Sequence, residues 1–210
     1  MSDFWRVARV DCQSDGTICP ADLWAELTSK SIGKNILLFS IDELSQEISQ
    51  SHPEYFQITI KRQLPDKILF TVVVRRAMAV LRLTNGSFYL TDKEGFILEK
   101  TDKIIEYPLI DSDQSEDLKV RQKIQDQVIL KAIEIVNESK LRLLEPEKAN
   151  SLSPRAIEVN FKDGLQVFFS TEKNSQEQLD TLQFILDRTK IEGEKLSRID
   201  LRFDKPVLVE

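Results

Sequence analysis

Few residues in this chain have catalytic chemistry to offer. One histidine and two cysteines occur in 210 residues, His52 beside Pro53 and Cys12 and Cys19 with six positions between them. A catalytic imidazole needs a partner that orients it. His52, the lone histidine at the end of an expected helix, reads as a surface or capping residue. A thiolate nucleophile needs a nearby histidine or other cation, and neither cysteine has a histidine nearby. The cysteine spacing fits no common zinc pattern. Two readings of the pair stay open: two unrelated small residues, or a local disulfide across the Asp15-Gly16 turn, which requires an oxidising compartment.

The remaining polar groups offer no more. The acidic pairs Glu145/Glu147 and Glu192/Glu194 read as solvated, because acid/base carboxylate pairs need opposed, partly buried settings. The glycines are scattered in turns and form neither a dinucleotide fingerprint nor a phosphate loop. Arg75-Arg76 flank a strand end. The sequence therefore predicts no catalytic residue, no metal ligand, no cofactor and no enzyme, but a binding or scaffolding protein. Its many short strands have edges that can accept another chain.

Composition narrows the partners. Charged residues are 30% of the chain, both signs are interleaved, and the net charge is −6. Without a basic stripe, nucleic-acid binding through phosphates is disfavoured. No apolar run approaches the roughly 20 residues that span a bilayer, and the start lacks the apolar centre of a signal peptide.

The elements that must position any binding surface follow from periodicity. Residues 5–10 alternate weakly as a strand, residues 17–22 look like a helix entry, and Leu23, Trp24 and Leu27 give a helix over 20–30. Ser40 or Asp42 caps a second helix carrying Leu44 and Ile48, which His52-Pro53 ends. Phe56, Ile58 and Ile60 alternate as a half-buried strand. Across the Leu64-Pro65-Asp66 turn, residues 68–74 form a near-continuous apolar run that predicts a strand buried on both faces. The first 75 residues thus read β-α-α-β-β.

A second domain is expected over 76–210. Residues 78–84, 87–91 and 96–98 form a meander through the Asn85-Gly86 and Lys93-Glu94-Gly95 turns. Residues 106–110 add a strand, and a long helix is expected over 116–140 with Ile124, Val128, Ala132, Ile135 and Val136 on one face. Residues 141–153 read as irregular. Residues 157–161 and 165–170 form a hairpin across Asp163-Gly164. Ser175 caps a helix through Arg188, and strands at 199–203 and 207–209 end the chain. The fold class expected is α+β.

Three local patterns and a terminal strand then carry a family resemblance. Gly33-Lys34-Asn35-Ile36 before Phe39-Ser40-Ile41-Asp42 is similar to a G-x-N-hydrophobic step between two helices. Arg62-Gln63-Leu64-Pro65-Asp66-Lys67-Ile68-Leu69, running on to Arg75-Arg76-Ala77, resembles an R-x-L-P-x-x-L strand turn and its handover into the next domain. Tyr89-Leu90-Thr91-Asp92-Lys93-Glu94-Gly95-Phe96 is similar to a Y-L-V-D-x-x-G hairpin, and Ile199-Asp200-Leu201-Arg202-Phe203 to a V-D-L-R-Y strand. Together they resemble the FtsQ/DivIB family of bacterial division proteins over most of the chain. The pattern implies a POTRA domain (polypeptide-transport-associated module) over 1–75 and an FtsQ-type β domain over 76–210. Val74 and Ala77 stand where that family usually has glutamate and proline.

The resemblance implies a non-enzymatic septal scaffold on the extracytoplasmic face of the cytoplasmic membrane. It would join the FtsB-FtsL pair and, through it, the peptidoglycan synthase FtsW-FtsI. Such proteins carry one membrane-spanning helix ahead of the POTRA domain, so this chain reads as the extracytoplasmic region, with membrane attachment only through a helix outside it. The alternative is a POTRA-containing protein-translocation or outer-membrane assembly factor, which would normally bring a β-barrel or several POTRA copies. Partner binding is expected at Arg155, Phe203, Pro206, Val207, Leu208 and Val209. Pro206 marks a strand start or edge, the short apolar run after it is an aggregation hazard if left bare, and Phe203 and Arg155 fall where the family has a tyrosine and a partner-facing arginine.

Overall fold

The computed structural model describes residues 3–102 and 107–209, which divide into two compact units, Met1–Arg75 and Arg76–Glu210. Four α-helices and two mixed sheets make the chain α+β among the described residues.

The first unit contains β1 (Arg9–Ser14), β2 (Thr17–Ile18), α1 (Ala21–Ser31), α2 (Ile41–Ser51), β3 (Tyr55–Gln63) and β4 (Lys67–Val74). Its sheet has the order β2-β1-β4-β3, with β1 parallel to β4 and the other pairs antiparallel. Leu23 and Leu27 of α1 and Leu44 and Ile48 of α2 pack over Val10, Ile68 and Phe70. The Ser40 hydroxyl accepts from the Glu43 amide and so caps α2.

Three expectations change here. β4 buries only the face carrying Ile68, Phe70 and Val72, because Leu69, Thr71 and Val73 lie on the face without helices. Residues 5–7 are not part of the first strand: they pair with the connector between the helices through the Arg6–Asn35 bridge, and β1 starts at Arg9. Thr17–Ile18 is a strand rather than a helix entry. Within that hairpin Cys12 and Cys19 are joined by a disulfide, Cα–Cα 5.4 Å, which settles the two open readings.

The second unit contains β5 (Ala79–Arg82), β6 (Phe88–Thr91), β7 (Ile97–Thr101), β8 (Leu109–Asp111), α3 (Gln127–Leu141), β9 (Pro146–Ser153), β10 (Ala156–Phe161), β11 (Gln166–Ser170), α4 (Ser175–Glu192), β12 (Arg198–Asp200) and β13 (Val207–Val209). One sheet takes the order β13-β12-β11-β10-β9-β8-β5-β6-β7. Its core sets Ile129, Ile133 and Val136 of α3 and Leu179 and Leu182 of α4 with Leu81, Val159, Val167 and Ile199 of the strands.

Two departures from pattern reading are instructive. The long helix begins at Gln127, eleven residues later than 116, because Asp126 caps it by accepting from the Val128 and Ile129 amides. The preceding residues are held by the meander instead: Asp117 accepts from Asn85 and Ser87, and the Ile124 amide donates to Gly95. The segment read as irregular contains β9, a central strand bonded to both β8 and β10. Its sequence, PEKANSLS, has little apolar alternation. Ala149 is the small residue that lets α3 lie close, and the strand is specified by its neighbours rather than by propensity.

Smaller shifts affect the ends. The strands expected at 78–84, 87–91 and 96–98 run over Ala79–Arg82, Phe88–Thr91 and Ile97–Thr101. The strand expected at 106–110 is Leu109–Asp111, and Glu106 lies outside the described residues. Helix α4 is capped by Asn174, not Ser175, and runs on past Arg188 to Glu192, where Gly193 (φ 73°) ends it.

Candidate partner-docking edge

The last strands of the sheet form the candidate site. β12 is parallel to β11, and β13 returns antiparallel beside it with Arg198 opposite Val209, Ile199 opposite Leu208 and Asp200 opposite Val207. β13 is the terminal strand of the order, so no further strand among the described residues covers its outer side. Val207, Leu208 and Val209 are 50%, 46% and 46% exposed. An uncharged apolar edge of this kind is a template for another strand.

The turn into β13 is built by Asp200. The strand expected over 199–203 stops at Asp200, whose carboxylate folds back over the next two residues. It accepts from the Arg202 amide at 3.1 Å and from the Arg202 guanidinium at 2.9 and 2.6 Å. An aspartate that bonds the backbone two residues on makes a turn in place of a ladder. Hydrogen bonding from Arg202 holds the Asp200 carboxyl below the usual carboxylate range and raises Arg202 in return. Phe203 therefore sits in the turn and not in a strand, 56% exposed.

Beyond this turn, Phe203 and Pro206 line a shallow cavity of about 340 Å³ against the start of α4, with Lys173, Asn174 and Thr181. Lys173 pairs with Asp204 at 3.4 Å, which ties the turn to the segment after β11. Arg155 reaches the same segment from the β9–β10 turn. Its side chain is exposed and pairs with Glu172 at 3.0 Å, and the Thr171 amide donates to its carbonyl. Residues 171–174 thus lie between Arg155 and the Phe203 turn. The structure brings the expected residues into one neighbourhood: Arg155, Phe203 and Pro206 at one end, and Val207, Leu208 and Val209 along the edge that runs from it.

Sequence reading missed two cations here. The guanidinium carbon of Arg198 lies 4.2 Å from the centre of the Phe168 ring, and that of Arg202 lies 5.2 Å from the same ring and 5.7 Å from Phe203. Such stacking places positive charge on the face of the sheet beside β13. The sequence signal was the polar position alternating with Ile199 and Leu201, but the partner ring on β11 required the parallel β11–β12 register.

Elsewhere, the His52 ring lies between two carboxylates, one two residues on and one remote in sequence. Its Nε2 lies 2.8 Å from Glu26 and its Nδ1 3.0 Å from Glu54, which link α1, the end of α2 and the approach to β3. Among the described residues no group of three or more His, Cys, Asp or Glu side chains is placed to hold a metal ion, and no helix is long and apolar enough to cross a membrane.

These features define a class: a two-unit α+β protein whose second unit ends in an exposed apolar strand edge flanked by stacked arginines. Comparison with known sequences gives the family. The model described as "Cell division protein FtsQ/DivIB, C-terminal" matches residues 79–202, and the chain belongs to the FtsQ/DivIB family of cell division proteins. It is also similar to the cell division protein DivIB of Clostridium tetani (strain Massachusetts / E88), with 24% identity over 177 residues, 80% of this chain. The match spans 66% of that relative's length.

Proposed function

We propose that the chain is a non-enzymatic scaffold of the division septum that docks a partner strand on β13. In this reading the first unit is a POTRA-type module, and the second unit takes an extracytoplasmic segment of FtsB, with FtsL, along its terminal edge. That pair in turn connects it to FtsW-FtsI. The observation that carries the reading is the terminal position of β13 together with the exposure of Val207, Leu208 and Val209. Backbone hydrogen bonds along the edge supply affinity, while the Phe203 cavity and the cations Arg155, Arg198 and Arg202 select an apolar and acidic sequence. Membership of a division-protein family supports the cellular role. The Cys12–Cys19 disulfide supports a position on the oxidising, extracytoplasmic side of the membrane.

The test is calorimetric titration of the chain with the extracytoplasmic FtsB-FtsL segment. Phe203→Ala is expected to weaken binding by about 2 kcal/mol or more, as for a central aromatic anchor, with little change in folding because the ring is already half exposed. Arg155→Glu is expected to weaken an acidic partner through charge repulsion. Unchanged affinity in both variants would remove the reading.

A further inference from the structure

Three segments of the first unit converge at one pole: residues 4–8, 32–39 and 61–65. The Ile36 amide donates to the Trp5 carbonyl at 2.8 Å, the Val7 amide to Lys34, and the Gly33 amide to Val7. This pairing sets Arg6 opposite Asn35. Arg62 fastens the end of β3 to the same connector by donating to the Ile36 and Phe39 carbonyls at 2.7 and 2.5 Å. The Asn35 side chain accepts from the Leu37 and Leu38 amides, which holds the tip of the connector in a tight turn.

Phe4, Ile32, Leu37, Leu38 and Leu64 are all exposed, Leu38 at 77%. A buried core position would explain one of them, but none is in the core, and a tight turn at a protein surface normally carries polar residues. The same three segments contain Arg6, Lys34, Lys61 and Arg62 and no aspartate or glutamate, in a chain of net charge −6. The nearest carboxylate along the third segment, Asp66, is paired with Arg9 at 2.7 Å. Exposed apolar and aromatic side chains in segments that carry these cations match an anionic bilayer interface: the apolar groups enter the acyl boundary and the cations meet lipid phosphates.

We propose that this pole is a peripheral membrane-contact surface, with Phe4, Leu37 and Leu38 inserting and Arg6 and Lys34 facing anionic headgroups. The pole belongs to the first unit and β13 to the second, so the proposal does not depend on the partner reading above.

Flotation of the 210-residue chain with vesicles tests it, comparing phosphatidylglycerol-containing vesicles with pure phosphatidylcholine. The expected result is binding to the anionic vesicles that falls as salt rises. Leu37→Ser/Leu38→Ser is expected to lower it by about tenfold. Both leucines are exposed, and far-UV circular dichroism with intact mass for the disulfide verifies that the variant is folded. Lys34→Ala is expected to weaken binding to anionic vesicles and leave that to neutral ones unchanged. No flotation with anionic vesicles at low salt, equal flotation with both kinds, or unaltered binding of the double leucine variant would each overturn the proposal. Capture of the FtsB-FtsL segment that is lost in that variant, with vesicles ignored, would assign the pole to a protein partner and overturn it as well.

Discussion

Removing the Cys12–Cys19 link should destabilise the first unit alone. The bond joins positions seven apart in sequence. In the chain-entropy treatment, closing a loop of this size removes about 8 cal/mol/K from the unfolded ensemble, or about 2.5 kcal/mol at 25 °C. Both sulfur positions are buried against the core that holds Val10 and Leu23, so Cys12→Ala/Cys19→Ala is the suitable variant: it leaves no hydroxyl stranded in an apolar site. The assay exploits an asymmetry in the sequence. Both tryptophans, Trp5 and Trp24, lie in the first unit. Trp24 donates to the Val10 carbonyl at 3.3 Å, on the strand that carries Cys12. Urea unfolding followed by tryptophan fluorescence therefore reports that unit, while far-UV circular dichroism reports both. The fluorescence midpoint should fall by an amount that, multiplied by the slope, gives about 2–3 kcal/mol, and the part of the circular dichroism transition that belongs to the second unit should stay in place. A loss below about 1 kcal/mol would refute the loop-entropy argument. A matching fall of both transitions would refute the division of the chain into separately responding units.

Other outcomes follow from single sites. Hydrogen bonds donated by the protonated His52 ring to the Glu26 carboxylate, then to that of Glu54, raise the His52 pKa above its ordinary 6.5 against the opposing effect of burial. The stabilisation is therefore complete below the unfolded pKa and is lost as pH rises through the higher folded value; a proton NMR titration of the single imidazole checks it, and a midpoint at or below 6.5 would contradict it. Gly95 has φ +76° and a Cβ added there would lie 2.4 Å from Leu130 Cδ2, so Gly95→Ala combines left-handed strain with overpacking and should cost the second unit about 2–4 kcal/mol in thermal or urea unfolding. Gly86→Ala, at φ +85° with open space around it, should cost only the backbone part, about 1–2 kcal/mol. Asp126→Ala removes the cap of α3 and should cost about 1 kcal/mol in the same measurement.

What the sequence disclosed depended on how local the determinant was. The helices α1, α2 and α4 follow from apolar spacing, α2 also from its Ser40 cap, and the β10–β11 hairpin from alternation around Asp163-Gly164, because those determinants lie within the element. β9 was invisible because its strand character comes from β8 and β10, and its polar residues carry no alternation. The start of α3 was misplaced because residues 116–125 have helical apolar spacing, yet Asp117 and Ile124 are committed to the meander and Asp126 supplies the cap. At the edge, Pro206 and the run after it were legible as an edge strand. The Arg198 and Arg202 stacking on Phe168 was not, because it depends on the register of β12 against β11 across the intervening α4.

The docking edge is tested most directly by deleting residues 206–210 and titrating the shortened chain with the FtsB-FtsL segment. Tryptophan fluorescence and intact mass verify in the same sample that the first unit and its disulfide are unaffected. Loss of the binding heat is the result expected if β13 provides the edge on which the partner strand pairs. Affinity equal to that of the full chain would contradict it.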